Sequence, residues 1–182
     1  PISLSTTFAQ EGVGRHKGFE YSRSGNPTRS ALEAQVASLE EADHGLAFAS
    51  GLAAEDNILR LLRPGQRTLL GNDAYGGTFR LIAKVWSPLG FPWSAVDLTD
   101  LDALRTNWPD DVGLVWLETP TNPLLTCFDI EAIAEIAHNR GAIVVVDNTF
   151  ATPYLQQPLT LGADIVVHSA TKYLGGHSDV VG

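Results

Sequence analysis

The 182-residue chain contains one cysteine, Cys127. A single thiol excludes an internal disulfide and any multi-cysteine metal site, and it makes a reducing compartment the default setting. Basic residues are also few: 12 Lys and Arg stand against 21 Asp and Glu, giving a formal net charge of -9 and a pI near 4.8. That sign is opposite to the electrostatic footprint of a nucleic-acid binder, so small metabolites are the expected partners and the cytoplasm the expected location. Long apolar runs are missing. The run of most interest, AIVVV at 142–146, is far too short to span a bilayer, no basic-then-apolar leader opens the chain, and no membrane partner is expected. GxGxxG, GxxxxGK[ST] and HExxH do not occur, which removes the dinucleotide fingerprint, the phosphate loop and the zinc-protease helix. His16, His44, His138, His168 and His177 show no metal-ligand spacing, so no metal site is expected, and Cys127 reads as a small core or loop residue. The chain begins PISLSTTF and stops at SDVVG where an apolar run has just begun, so both ends are expected to be cuts through a longer polypeptide.

What is present fits a globular domain, with 44% hydrophobic and 18% charged residues. Residues 1–25 carry no sustained period and four glycines, and read as an extended arm. Asn26-Pro27 is a helix start, with Asn as cap and Pro at the first helical position. Leu32, Val36 and Leu39 then recur at helical spacing to about Asp43, with Glu33, Glu40 and Glu41 expected outside. LAFA (46–49) reads as a buried strand and LAAEDNILRLL (52–62) as a helix stopped by Pro64-Gly65. RTLLG, FPWSAV, VGLVWLE, AIVVVD and DIVVHS read as strands; TFRLIAKVW, LTDLDALR and DIEAIAEIAHNR read as the helices between them. Continuous apolar strands alternating with helices imply an α/β fold, with a mainly parallel sheet covered on both faces. The expected organisation is an arm at 1–25 and one α/β domain at 26–182.

In open sheets of this kind ligands sit outside the carboxyl ends of the strands. Those ends carry Ser50 and Gly51, Asp73 and Tyr75, Glu118 to Asn122, Asp147 and Asn148, and Ser169 to Lys172. Ser50-Gly51-Leu52 opens a helix, where unpaired N–H groups and the positive dipole end would face an anion, although a serine there also serves as a plain cap. Asp147 ends an apolar strand and needs a cationic or hydrogen-bonding partner; a loop cap is the other reading. Lys172 is one of three lysines, and a solvated surface cation is the bland account of it. Taken together, an anion-binding helix start, a strand-end carboxylate, a tyrosine and a lysine flanked by hydroxyls match pyridoxal 5′-phosphate (PLP). Its aldehyde needs an amine, its ring nitrogen a carboxylate, and its phosphate several donors.

YSRSGNPTR (21–29), ASGLAA (49–54), DAYGGTFR (73–80), ETPTNP (118–123), VDNTF (146–150) and SATKYLGGHSD (169–179) resemble the Cys/Met-metabolism PLP enzymes, the cystathionine γ-synthase and γ-lyase group. Six spaced motifs in the family's order make the resemblance specific. It implies the fold type I architecture of PLP-dependent transferases, of which the chain is the PLP-binding large domain without the C-terminal substrate domain. It implies that Lys172 binds the cofactor aldehyde and moves protons, that Asp147 pairs with the ring nitrogen, that Tyr75 stacks on the ring and that Asn122 bonds the ring hydroxyl. Phosphate contacts fall to Ser50, Gly51, Leu52, Ser169 and Thr171. Tyr21 and Arg23 would reach the phosphate of a neighbouring subunit, in a homodimer or homotetramer, and Glu20 would face the far amino group of a cystathionine-like substrate. The activity implied is γ-replacement or γ-elimination. The leading reading is cystathionine γ-synthase, acting on an O-acylhomoserine and cysteine, and cystathionine γ-lyase, cleaving cystathionine, is the alternative. A non-catalytic α/β domain binding a phosphorylated metabolite is the reading from another class. Methionine γ-lyases of the family carry a cysteine where this chain has Gly77, so that activity is not expected.

Overall fold

A computed structural model describes residues 2–182, which fall into two compact units, one up to residue 47 and the other at 48–182.

In the first unit β1 (Gln10–Gly12) and β2 (Arg15–His16) form a short antiparallel hairpin in the segment read as an irregular arm, with Gly14 at φ 69 in its turn. α1 (Pro27–Leu39) starts as expected: the Asn26 side chain accepts from the N–H groups of Thr28 and Arg29 at 2.8 and 3.4 Å, and Pro27 takes the first turn, where an N–H would have no partner. The Asn26 amide also donates to the Ser3 carbonyl and the Ser22 hydroxyl, which ties the arm to the helix start. Two expectations are corrected. Leu32 and Leu39 are exposed while Glu40, where the helix ends, is buried, and Glu41 turns the chain away at φ 56. LAFA is no strand: residues 46–49 have no regular structure and Leu46 is exposed. Its backbone is taken by α1 instead. The Ala47 N–H donates to the Glu33 carboxylate at 3.0 Å, and Gly45 lies so close that a Cβ there would stand 2.2 Å from the Glu33 carbonyl oxygen.

In the second unit five strands form one parallel sheet. They are β3 (Arg67–Gly71), β4 (Trp93–Val96), β5 (Val112–Glu118), β6 (Ile143–Asp147) and β7 (Ile165–Val167), in the order β4-β3-β5-β6-β7. β5 is buried along its whole length, as a strand covered on both faces must be. One face, with Leu69, Val115, Leu117, Val144 and Val146, packs on α4 (Leu101–Thr106) and α5 (Ile130–His138). The other, with Leu70, Leu114, Trp116, Val145 and Val167, packs on α2 (Gly51–Leu59), on α3 (Gly76–Arg80) and on the π-helical turns Leu81–Trp86 that continue it. The stretch TFRLIAKVW is therefore helical as expected, but wound as π beyond Arg80. A short α6 (Thr152–Leu155), unforeseen in the sequence, follows β6. At the sheet's amino edge Arg67 forks onto Asp111 at 2.8 and 3.1 Å and donates to Ser94, pinning β3 between its neighbours. Among the described residues no helix is long and apolar enough to cross a membrane.

Ile133 on α5 is fully enclosed between helix and sheet. Ile133→Ala removes buried methylenes and leaves a cavity, so urea unfolding of the full chain should show a loss of about 2–5 kcal/mol.

Candidate functional site

The chemistry-bearing side chains meet at the sheet's carboxyl edge. β5 and β6 pair in register with Glu118 beside Asp147. Side chains alternate along a strand, so these two project to the side already taken by Trp116 and Val145, under α2 and α3. The chain leaves β3 toward β4 on one side and β5 toward β6 on the other. Where connections diverge like this a crevice opens above the sheet. A cleft of about 490 Å³ lies there, walled by the start of α2, by Tyr75 to Val85, and by the loops that follow β5, β6 and β7.

Each loop is held by its own motif. In ETPTNP the buried Thr119 and Thr121 hydroxyls accept from the N–H groups of Phe128 and Thr126 at 3.0 and 2.9 Å, folding the segment back and leaving Asn122 outward at the cleft. In VDNTF Asp147 accepts from the Thr149 N–H at 2.9 Å, and Asn148 exchanges hydrogen bonds with Gln156. The Thr149 hydroxyl accepts the Ser169 N–H at 2.8 Å, and the Ser169 carbonyl accepts the Lys172 N–H at 3.1 Å. The carboxylate strand end and the lysine turn are thus one hydrogen-bonded assembly. Ser50 caps α2 through Ala53 N–H at 3.2 Å, and a Cβ on Gly51 would stand 3.1 Å from that of Ser169, so glycine lets the helix start approach this turn. The Tyr75 ring lies over Gly77, where a Cβ would come within 2.2 Å of it.

The floor is acidic. Burial pushes Glu118 up to about 7, reinforced by the charges of Asp147 and Asp73 and opposed by N–H donation from Tyr75 and Asn122. Burial also raises Asp147, against the pull of Thr149 and of the charge on His168. A third carboxyl, Glu55 on α2, is pushed up to about 8 by burial, with Asp147 and Glu118 adding to the rise and the Thr78 hydroxyl opposing it. Buried carboxyls so close together favour a cationic ligand.

Ser50, Gly51, Leu52, Tyr75, Asn122, Asp147, Ser169, Thr171 and Lys172 all line this one cleft. Lys172 and Asn122 are exposed at its rim, and Asp147 is buried at its floor. The Thr171 hydroxyl is shared with Gly182, donating to its carbonyl and accepting its N–H. Glu20, Tyr21 and Arg23 belong to the 1–47 unit, where the three side chains are exposed and the Arg23 guanidinium lies 5.0 Å above the Tyr21 ring. Residues that sequence reasoning did not assign also line the cleft: Glu55, Glu118, Arg80, Lys84 and Thr149. Glu118 carried a signal, a carboxylate at a strand end like Asp147; Glu55 carried only its place one turn into α2. Among the described residues no group of His, Cys, Asp and Glu is arranged to hold a metal. An amine, a buried carboxylate, an aromatic face and a glycine-opened helix start fit PLP.

A profile of the Cys/Met metabolism PLP-dependent enzymes matches residues 1–182. The chain belongs to that family. It is 58% identical over 184 aligned residues to a cystathionine gamma-synthase of Mycobacterium tuberculosis and 54% identical over 181 to a cystathionine beta-lyase of Lactococcus lactis. These alignments cover 100% of the chain and 47% and 48% of those proteins. The crystal structure of a cystathionine gamma-lyase from Lactobacillus plantarum complexed with L-serine superposes with a TM-score of 0.93 at 50% identity, over 100% of this chain and 47% of that one. The chain thus spans about half the length of the family members it matches. The parallel α/β sheet expected from the sequence is the fold these relatives share.

Glu118 yields a pH prediction. Its folded value of about 7 lies above the ordinary 4.5, so the stability it contributes is complete below pH 4.5 and is lost as pH rises through 7. Melting temperatures of the cofactor-free full chain should therefore fall between pH 5 and 8, and Glu118→Gln, which keeps an acceptor for Tyr75 N–H, should flatten that fall. Equal slopes in the two proteins would place Glu118 in an ordinary solvated setting.

Proposed function

We propose that this chain is the cofactor-binding part of a PLP enzyme of transsulfuration that acts at the γ-carbon of a homoserine-derived amino acid, with cystathionine γ-synthase as the leading activity. The observation that carries the cofactor reading is the meeting of Lys172, Asp147, Tyr75 and the start of α2 on one cleft. The 58% identity to a cystathionine gamma-synthase supports the choice of reaction, joining an O-acylhomoserine to cysteine. A γ-lyase reading, cleavage of cystathionine, is supported by the 50% identical gamma-lyase structure and uses the same residues. The cytoplasm and a homodimer or homotetramer belong to the same reading.

When bound, PLP supplies an aldehyde for amino groups and a protonated ring nitrogen that draws electrons from the substrate. Lys172 would hold the cofactor through Nζ, and the same amine, when free, would take and return substrate protons. Asp147 would face the ring nitrogen and hold its proton in place; the N–H bond from Thr149 fixes the carboxylate for this. Tyr75, given room by Gly77, would cover one ring face, and Asn122 would donate to the ring hydroxyl. The Gly51 and Leu52 N–H groups, in the first turn of α2, have no intrahelical acceptor and would bind phosphate together with the Ser169 and Thr171 hydroxyls, while Ser50 caps the turn. Glu20 faces the distal end of the substrate.

Borohydride reduction of the full-length protein followed by peptide mapping tests the assignment. A reduced adduct at Lys172 is expected, together with loss of the visible cofactor absorption in Lys172→Ala; no adduct would leave the non-catalytic phosphometabolite domain. Rates with cystathionine, and with O-acetyl- or O-succinylhomoserine plus cysteine, then rank lyase against synthase.

Arg23 is assigned to the phosphate of a partner subunit, as a bidentate contact that lysine cannot copy. Arg23→Ala should weaken PLP retention. Hybrids of it with Lys172→Ala should regain activity, because one site in each mixed dimer then has both residues. Inactive, verified hybrids would place Arg23 in its own subunit or outside the site.

A further inference from the structure

One buried acid in the cleft is used by none of these roles. Glu55 stands in α2 four residues after Gly51, about 6 Å of helix rise from the helix start. Its side chain is 4% exposed, lines the cleft, and leaves Oε2 without a hydrogen-bond partner. Thr78 on α3, whose hydroxyl opposes the rise in Glu55, is buried beside it. Negative groups reach Glu55 from two strands, Asp147 of β6 and Glu118 of β5. The cations on the same cleft are Arg80 of α3, Lys84 of its π-helical continuation and Lys172 after β7.

We propose that Glu55 is a positioning residue for the anion site at the start of α2: held as a neutral acid, it leaves the positive end of the helix free to seat a dianionic phosphate ester, and as a carboxylate it repels one. This rests on the reading of that helix start as the phosphate site. A negative charge one turn inside a helix offsets the positive end that an anion needs, and a wall closed to water screens the repulsion poorly. Burial favours the neutral form, with Glu55 pushed up to about 8, so the acid keeps its proton through the neutral range and loses it above. A threonine or alanine there would hold no such charge. The glutamate therefore gives the site a pH dependence that helix geometry alone does not.

Sulfate is the probe, because it stays a dianion with no titrating proton across the range. Its Kd is measured on cofactor-free, full-length wild type, Glu55→Gln and Glu55→Leu at constant ionic strength, from pH 6.5 to 9. The three proteins differ at position 55 alone, so the comparison isolates that side chain. Wild type should lose about tenfold more sulfate affinity over that interval than either variant, because between its value of about 8 and pH 9 the acid must take its proton back before the dianion can bind, a cost of tenfold per pH unit. Parallel curves would overturn the proposal. Absence of sulfate binding in wild type at pH 6.5 would overturn it too, and borohydride trapping at Lys172 would then show whether the cofactor reading survives. A steeper wild-type curve with no trapping at Lys172 upholds the proposal and removes the cofactor reading.

Discussion

The in-register parallel pairing of β5 with β6 sets Glu118 beside Asp147 on one face of the sheet, and the site is arranged around that juxtaposition. Two carboxyl groups at the ends of buried strands repel each other and cannot both be solvated. The surrounding loops answer with N–H donors. Tyr75 and Asn122 serve Glu118, and Thr149 serves Asp147. Those donors in turn fix where the loops lie: Tyr75 is drawn over the end of β5, and Thr149 turns back to receive Ser169. The position of Lys172 descends from this chain of bonds, through the Ser169 carbonyl that holds its N–H.

Why the cleft opens at this place is a matter of topology. β3 sends its connection toward β4 while β5 sends its own toward β6, so the loops above the β3/β5 pair part. α2 covers the opened face with its first turn directed at the cleft, and Gly51 permits its approach to Ser169. The acidic floor and the positive helix end thereby share one cleft. A ligand that is cationic at one end and dianionic at the other matches both, which is the charge pattern of a protonated pyridine phosphate.

Much of this was legible in the chain, for physical reasons that differ by element. RTLLG and VGLVWLE are found as strands residue for residue because a strand buried on both faces needs an unbroken apolar run, and little else of that length does. LAFA misled because four apolar residues are too few to distinguish a strand from a connection, and a side chain fourteen positions earlier, Glu33, claims its backbone. The switch from α to π winding after Arg80 leaves the apolar spacing almost unchanged, so no pattern announces it. Glu40 and Glu55 were missed for a shared reason. A glutamate on a helix reads as solvent-facing, and only the packing of other elements over it reverses that. The site residues were easier where backbone and side chain are both constrained. Asp147 at a strand end, Ser50 at a helix start and Lys172 among hydroxyls each break a local pattern, whereas Glu118 reads as the natural end of its strand.

The glycines of the cleft complete the argument, because they show which distances the site cannot relax. A methyl group at position 77 would overlap the Tyr75 ring at 2.2 Å, and one at position 51 would press on Ser169 at 3.1 Å. Neither glycine has a left-handed backbone that would demand it for conformational reasons. Space, not torsion, selects them. The first keeps an aromatic face against the cleft and the second keeps a helix start against the lysine turn, so a side chain at either would widen the space between carboxylate and anion site. In the absence of side chains at these two points, the walls close to a separation set by main-chain atoms, which vary less than rotamers do. A ligand held at both ends by charge, as the proposed reading has it, would then stand at a defined distance from Lys172, and positioning of that kind is what proton transfer by a single amine requires.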